Sequence, residues 1–328
     1  MSTQPETFYR FRGFNTTTLD FLYRDLLHFA NPRTFNDPLD CNPSVVCDSN
    51  RSEMRDLLGL LIQRRVTSEV LASLQLARLK GEGASRHAER RARIEDKSSL
   101  ENIAYHATDP EYSAGEDQAE AWLLTSQIEE ELRRHYDRGV CCFSASYRSP
   151  LLWSHYGDQH RGLCIGYGVD RVPRPIPQRV VYGGNRTINT SVLIRAFLHN
   201  DHEAGIDLDR DILLRKAAGW RYENEWRLIG TEGLQNSPML LKEITFGIRC
   251  EPAVIHAVVR ALSGRINELK FYRMREDRIR FGLKRRGVDI DDLDRYFPET
   301  AASGEEIFGA NDDSTEISLS RADEERDA

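Results

Sequence analysis

The period of the hydrophobic pattern changes abruptly at two places in this chain, and that constrains its fold more than any single residue does. From about Ser52 to Arg138 apolar residues recur at helical spacing. Leu57, Leu58, Leu61, Val66, Val70, Leu71, Leu74 and Leu76 are the clearest set, in a background of Arg, Glu and Ala. Gly81-Glu-Gly83 breaks this stretch, a basic run follows from Arg86 to Lys97, and a further helix is expected near Asp117 to His135. From Gly139 onward short apolar runs take over, near Val140–Phe143, Gly162–Tyr167, Arg179–Tyr182, Trp226–Ile229, Leu240–Gly247 and Leu269–Phe281. Helical patterns interrupt them at Ser191–His199, Leu208–Ala218 and Pro252–Leu262.

Before the helical block, Phe8-Tyr-Arg-Phe-Arg12 alternates as a short strand would. Thr17–His28 reads as a helix, and Asn31–Pro38 as a loop built from Asx turns and two prolines. Strands separated by helices of unequal length indicate an α+β fold, not a regular doubly wound sheet. The predicted organisation is a single α+β domain over 1–298, with a helical insertion at about 51–138 and an acidic tail over 299–328.

The tail dominates the charge. Its ten Asp/Glu and two Arg give −8, and removing that from the formal −7 leaves the body at +1. Global charge therefore excludes neither nucleic acid nor acidic ligands, and the tail composition predicts disorder. No stretch reaches the roughly 18 to 20 apolar residues of a membrane helix, and no basic-then-apolar leader opens the chain, so a cytoplasmic protein with no membrane partner is expected. Six scattered cysteines without C-x-x-C read as free thiols.

Two short motifs point to chemistry. Cys142-Phe-Ser-Ala-Ser-Tyr147 carries Ser144 and Ser146 at i and i+2, and Tyr222-Glu-Asn-Glu-Trp-Arg227 carries Glu223 and Glu225 likewise. In extended chain each pair would share one face. Two neighbouring carboxylates repel, so they call for a cation, a ligand or a reaction. A surface ladder with the flanking Arg221 and Arg227 has even odds against a cleft bracketed by Trp220, Tyr222 and Trp226. Structural hydroxyls outweigh a serine nucleophile for the Ser pair, since the Gly-x-Ser-x-Gly elbow is missing. Trp153, His155 and Tyr156, in Trp153-Ser-His-Tyr-Gly-Asp158, belong either to the core or to a pocket wall.

His199 and His202 lack any zinc-type partner spacing, so no metal is expected, and neither the Walker nor the dinucleotide glycine pattern occurs. The basic clusters Arg86–Arg93 and Lys284-Arg-Arg286 are either phosphate contacts or solvated faces, the latter being commoner.

With these residues in order, the chain resembles the bacterial family catalogued as domain of unknown function 2971. The resemblance rests on Tyr9-Arg-Phe-Arg12, Phe35-Asn-Asp-Pro-Leu-Asp40, Cys142-Phe-Ser144 and Leu152-Trp-Ser-His-Tyr-Gly-Asp158. Gly162-Leu-Cys-Ile165, Lys216–Trp220, Tyr222–Arg227 and Ile244-Thr-Phe-Gly247 complete it. That family name carries no activity.

The order Arg, Ser-x-Ser, Glu-x-Glu is also similar to ADP-ribosyltransferases of the arginine-serine-glutamate type. This second resemblance implies a split, curved sheet and NAD as substrate, with no metal. Arg10 or Arg12 would hold the NAD phosphates, Ser144 with Ser146 would brace the site, Glu225 would contact the nicotinamide ribose and Glu223 would act on the acceptor. Tyr147, Trp153, His155 and Tyr156 would complete the NAD pocket. The acceptor, protein or nucleic acid, stays open, and the role implied is that of a toxin or anti-phage effector.

Two rivals stand beside it. One is a non-catalytic module that binds a nucleotide or protein, with a partner protein held by the helical insertion. The other is a nuclease or hydrolase using Glu223, Glu225 and Asp158 around a divalent ion.

Overall fold

Asn50 shows how locally the elements are specified. Its side chain accepts from the Glu53 amide and donates to the Glu53 carboxylate at 2.7 Å, a reciprocal cap that starts the 26-residue helix Arg51–Leu76. In the computed structural model, residues 4–113, 115–135, 138–265, 269–296, 301–303 and 307 are described. The chain divides into two units, Met1–Val288 and Asp289–Ala328.

The first unit opens with β1 (Phe8–Arg12), α1 (Thr16–Arg24), β2 (Leu26–Phe29), a 3-10 turn (Pro32–Thr34) and β3 (Ser44–Val46). The helical block is α2 (Arg51–Leu76), α3 (Glu82–Ala107) and α4 (Glu116–His135). There follow β4 (Arg138–Ser144), α5 (Pro150–His155), β5 (Leu163–Gly168), β6 (Gln178–Arg179), β7 (Val181–Tyr182), β8 (Thr187–Asn189), α6 (Thr190–Phe197) and α7 (His202–Leu213). After β9 (Arg215–Lys216) and a 3-10 turn (Ala218–Glu223) come β10 (Glu225–Thr231), β11 (Gly233–Asn236), β12 (Leu240–Phe246), α8 (Pro252–Leu262), β13 (Lys270–Glu276) and β14 (Leu283–Gly287). The second unit contributes α9 (Ile290–Tyr296). The disorder expected of 299–328 falls almost wholly on residues outside those described.

The fold is α+β, organised by one mixed eight-stranded sheet in the order β14-β13-β12-β5-β1-β4-β10-β6. Only β12 and β13 run parallel, and the other neighbours pair antiparallel. Every residue of β5, near the middle, is buried, which is why it reads as a continuous run without polar alternation. The insertion packs through Met54, Leu57, Leu58, Leu61 and Ile62 of α2 against Leu124 and Ile128 of α4, in a cluster continuous with Leu193 and Leu213. Glu120 and Glu131 of α4, both buried, are held by Arg51, Arg55 and Arg65 of α2. α2 and α4 are thus pinned to each other by charge as well as by apolar contact.

Two helix boundaries differ from expectation. α1 stops at Arg24, because Asp25 turns left-handed (φ 57°) and Leu26–Phe29 then pairs with β11. That pairing buries Leu26, Leu27 and Phe29, which a longer helix could not do together. α7 begins earlier, at the Asp201 cap, and ends at Leu213, since Arg215–Lys216 leaves to pair with Val181–Tyr182.

Candidate active site

The sheet forks at β1. Five residue pairs join β1 to β5, but only Tyr9↔Ser144 joins β1 to β4. Beyond that pair the two strands separate, and a cavity of about 400 Å³ lies between Phe11 and Arg12 on one side and Val140 and Cys142 on the other. Directly paired residues share a face. Tyr9, Ser144 and Glu225, paired in sequence across three strands, therefore look to one side, while Arg10, opposite Ile165, looks to the other. The fork lets the cavity reach both: Arg10 and Arg12 line it, and so do Ser144, Tyr156, Lys216, Glu223 and Glu225.

The acidic end is a buried five-member ion cluster. Arg227, fully buried, donates from Nε to Glu225 Oε1 at 2.7 Å and from Nη2 to both Asp40 oxygens at 2.9 and 2.7 Å. Lys216 Nζ stands 2.6 Å from Glu223 Oε2, 3.0 Å from Glu225 Oε2 and 3.3 Å from Asp40 Oδ2. Tyr156 Oη donates to the remaining Glu223 oxygen at 2.8 Å. Three carboxylates thus face two cations. The surface ladder weighed above is overturned, since Glu223 and Glu225 are each only 4% exposed.

Charge bookkeeping separates the two glutamates. Burial pushes Glu225 up, but Arg227 and then Lys216 outweigh it and hold the acid at about 2. For Glu223 burial prevails over Lys216, helped by the neighbouring Glu225 charge, and its pKa is raised. Of the two, Glu223 is therefore the one that holds a proton more readily, whereas Glu225 is a fixed anion. Lys216 and Arg227 are both raised despite burial, by the acids around them.

Glu223 does not reach the cluster by strand alternation. It ends the 3-10 turn, and Asn224 adopts a left-handed conformation (φ 45°) before β10 begins at Glu225. Asn tolerates that region because its short polar side chain bonds locally. The kink aims both carboxylates at Lys216, and the Ser144 hydroxyl fastens it by donating to the Glu223 carbonyl at 2.7 Å. Ser146 supports Ser144 from behind through its amide, and Ser146 does not line the cavity. The Ser pair, too, is not two residues of one strand, for β4 ends at Ser144.

At the opposite end Arg12 is lowered to about 10 by burial and by Arg10, so it remains a cation at neutral pH. Arg10 donates to the His28 carbonyl and reaches the Cys141 sulfur. Arg12 lies over the Phe21 ring, both arginines line the cavity, and among the described residues neither has a carboxylate partner.

Of the other sequence candidates, Tyr156 lines the cavity and Trp153, Tyr147 and His155 do not. Trp153 is buried edge-on against Phe11, with its indole N–H on the Tyr147 carbonyl at 2.8 Å. Tyr147 packs on Tyr9 and Arg285, and His155 is exposed beside Tyr222. Asp158 sits in a left-handed turn near Gly13, away from the cavity lining. His199 and His202 are exposed. The sequence assigns no role to Asp40 or Lys216 and leaves Arg227 at even odds as a surface flank. A lone Lys and Asp some 175 residues apart give no spacing signal, although both lie in segments that carried the family resemblance.

Residues 152–228 match the model of a family described as protein of unknown function, DUF2971. This stretch is similar to the DUF2971 family. It runs from α5 into β10 and holds Tyr156, Lys216, Glu223, Glu225 and Arg227. The DUF2971 segment thus supplies most of the acidic end, while Arg10, Arg12, Asp40 and Ser144 come from the chain before it. No curated protein and no solved structure matches the chain. Among the described residues no helix is long and apolar enough to cross a membrane, and no three His, Cys, Asp or Glu side chains are grouped to hold a metal ion.

Proposed function

We propose that the forked cavity binds NAD and cleaves its N-glycosidic bond, transferring ADP-ribose to an acceptor or to water. One observation carries the reading: a single cavity is lined by Arg10 and Arg12 and by Ser144, Glu223 and Glu225. Guanidinium forks without a carboxylate partner suit a diphosphate. Breaking the C1′–N bond sends the electron pair to the pyridinium, which leaves as neutral nicotinamide, and positive charge grows on the ribose. A permanently ionised Glu225 within a cluster that has one more acid than base stabilises that charge more in the transition state than in the ground state. Glu223, with its raised pKa, takes the proton from the attacking hydroxyl or water. The split sheet of an ADP-ribosyltransferase-like fold is part of the same proposal.

A second reading is favoured by a specific contact pattern. Both oxygens of Glu225 already accept from Arg227 or Lys216, as in a structural strut, so the site would bind a nucleotide without cleaving it. Incubation with NAD labelled in the nicotinamide ring decides between them. Release of label that falls at least about 100-fold in Glu223→Gln supports cleavage. Retained, saturable binding without release supports the binding module, and neither binding nor release defeats both. Label from the adenylate half on a lysate component would identify the acceptor class.

A further inference from the structure

The insertion has a surface that the cavity does not use. α2 and α3 form a hairpin joined by residues 77–81, and beyond Val66 and Ala88 none of its residues is fully buried. Residues 78–97 hold seven Arg or Lys against four acids, a local +3 in a chain of net −7. On α3 the cations are ordered. Arg86, Arg90, Arg93 and Lys97 follow i, i+4, i+7, i+11, so they form one stripe about 16 Å long. Ala88, Ala92 and Ile103 turn inward on the opposite side of the helix.

The stripe is open. All four side chains are exposed, Arg86 and Lys97 to 77% and 78%. Their intrahelical partners, Glu82 and Glu101, stand at the two ends at 3.8 and 3.6 Å, long contacts for exposed pairs of small worth. Arg90, Arg91 and Arg93 have no carboxylate partner among the described residues. Of the nearby acids, Asp96 is turned inward to Gln63 at 2.7 Å, and Glu89 flanks the stripe.

We propose that this stripe docks on the phosphate backbone of duplex DNA, independently of base sequence. A row of cations on one face of a helix complements a dense polyanion, and each one placed on a phosphate releases condensed counterions. The stripe offers no aromatic platform for splayed bases, as single-strand binding would need. It offers no Asn, Gln or helix start poised to read base edges. This inference goes beyond the NAD reading and does not depend on it. A competing occupant, an anionic lipid surface, is suggested by Leu76 and Leu79 beside Arg78 and Lys80 at the connecting turn, where both leucines are exposed.

The test titrates a labelled duplex of roughly 20 base pairs with the full chain between about 50 and 200 mM salt. The comparison is an Arg86→Ala/Arg90→Ala/Arg93→Ala variant. A control variant replaces Arg161, Arg174 and Arg278, exposed arginines elsewhere. The expected result is micromolar binding at low salt, weakened at least about tenfold in the stripe variant, with the log–log salt slope reduced by about 3. The control should bind as the parent does, and NAD turnover should be unchanged in both. Three outcomes overturn the proposal: no duplex binding at the lowest salt, equal loss in stripe and control variants, or anionic phospholipid vesicles bound through the stripe in preference to duplex.

Discussion

The sheet carries two buried ion clusters, and their difference separates a candidate site from a strut. Glu243 of β12 pairs with Arg285 of β14, Nη1 to Oε1 at 2.5 Å and Nη2 to Oε2 at 3.1 Å. Arg285 is sandwiched between the rings of Tyr147 and Tyr272, with its Cζ 4.0 and 3.9 Å from their centroids. One cation meets one anion, aromatic faces close the remaining sides, and none of Glu243, Arg285 or Tyr272 lines the cavity. The Asp40–Lys216–Glu223–Glu225–Arg227 cluster has one acid too many and borders empty space. A balanced, enclosed pair serves packing. An unbalanced cluster at a cavity is able to respond to a ligand's charge or to hold a proton.

The sharpest way to break this contrast is to remove its central cation. Arg227→Met should destabilise the fold by about 3–5 kcal/mol, because Glu225 and Asp40 would be left buried with Lys216 alone. Thermal or urea unfolding reads it, and a loss under about 1 kcal/mol would mean the cluster is far better hydrated than its burial indicates.

Next in size is a pH signature. Glu225 has a folded-state pKa of about 2 against about 4.5 unfolded. Its contribution, on the order of 3 kcal/mol, is present above about pH 4.5 and lost as pH falls towards 2. Glu225→Gln should therefore be most destabilising at neutral pH, with the gap to the parent closing in acid.

For the balanced pair, Arg285→Met should cost about 2 kcal/mol, combining a lost ion pair with lost ring contacts, while NAD binding and turnover stay as in the parent. A collapse of turnover in a folded Arg285→Met protein would merge the two clusters into one functional unit.

Smallest in stability is Glu223→Gln, expected within about 1 kcal/mol of the parent, since amide and carboxyl fill the same space. Its pH trend should run opposite to that of Glu225→Gln. A raised folded pKa stabilises at low pH and that stability is lost as pH climbs through it, so the variant should gain on the parent towards alkaline pH. Activity, not stability, is where this substitution should be severe.

Much of the architecture was legible because it is local. The switch from helical to short apolar runs places α2, α3 and α4 before β4. The Asn31–Pro38 loop follows from its prolines and Asx turns, and Asn31 indeed caps the 3-10 turn through the Arg33 amide. The misjudged boundaries, at Asp25 and Leu213, are places where strand pairing with distant segments overrides helical propensity.

For the site, chain chemistry determined which residue types were unusual: adjacent glutamates among aromatics, alternating arginines in β1, and hydroxyls at the end of β4. It could not determine their surroundings, because a carboxylate's pKa depends on charges within a few ångström, and those come from residues far apart in the chain. Asp40, Lys216 and Arg227 come from the loop before β3, from β9 and from β10, and the left-handed Asn224 turns Glu223 to meet Lys216. Identity was written in the sequence. Which glutamate is a fixed anion and which holds a proton more readily was decided by the tertiary placement of Arg227 and Lys216 against the burial of both acids.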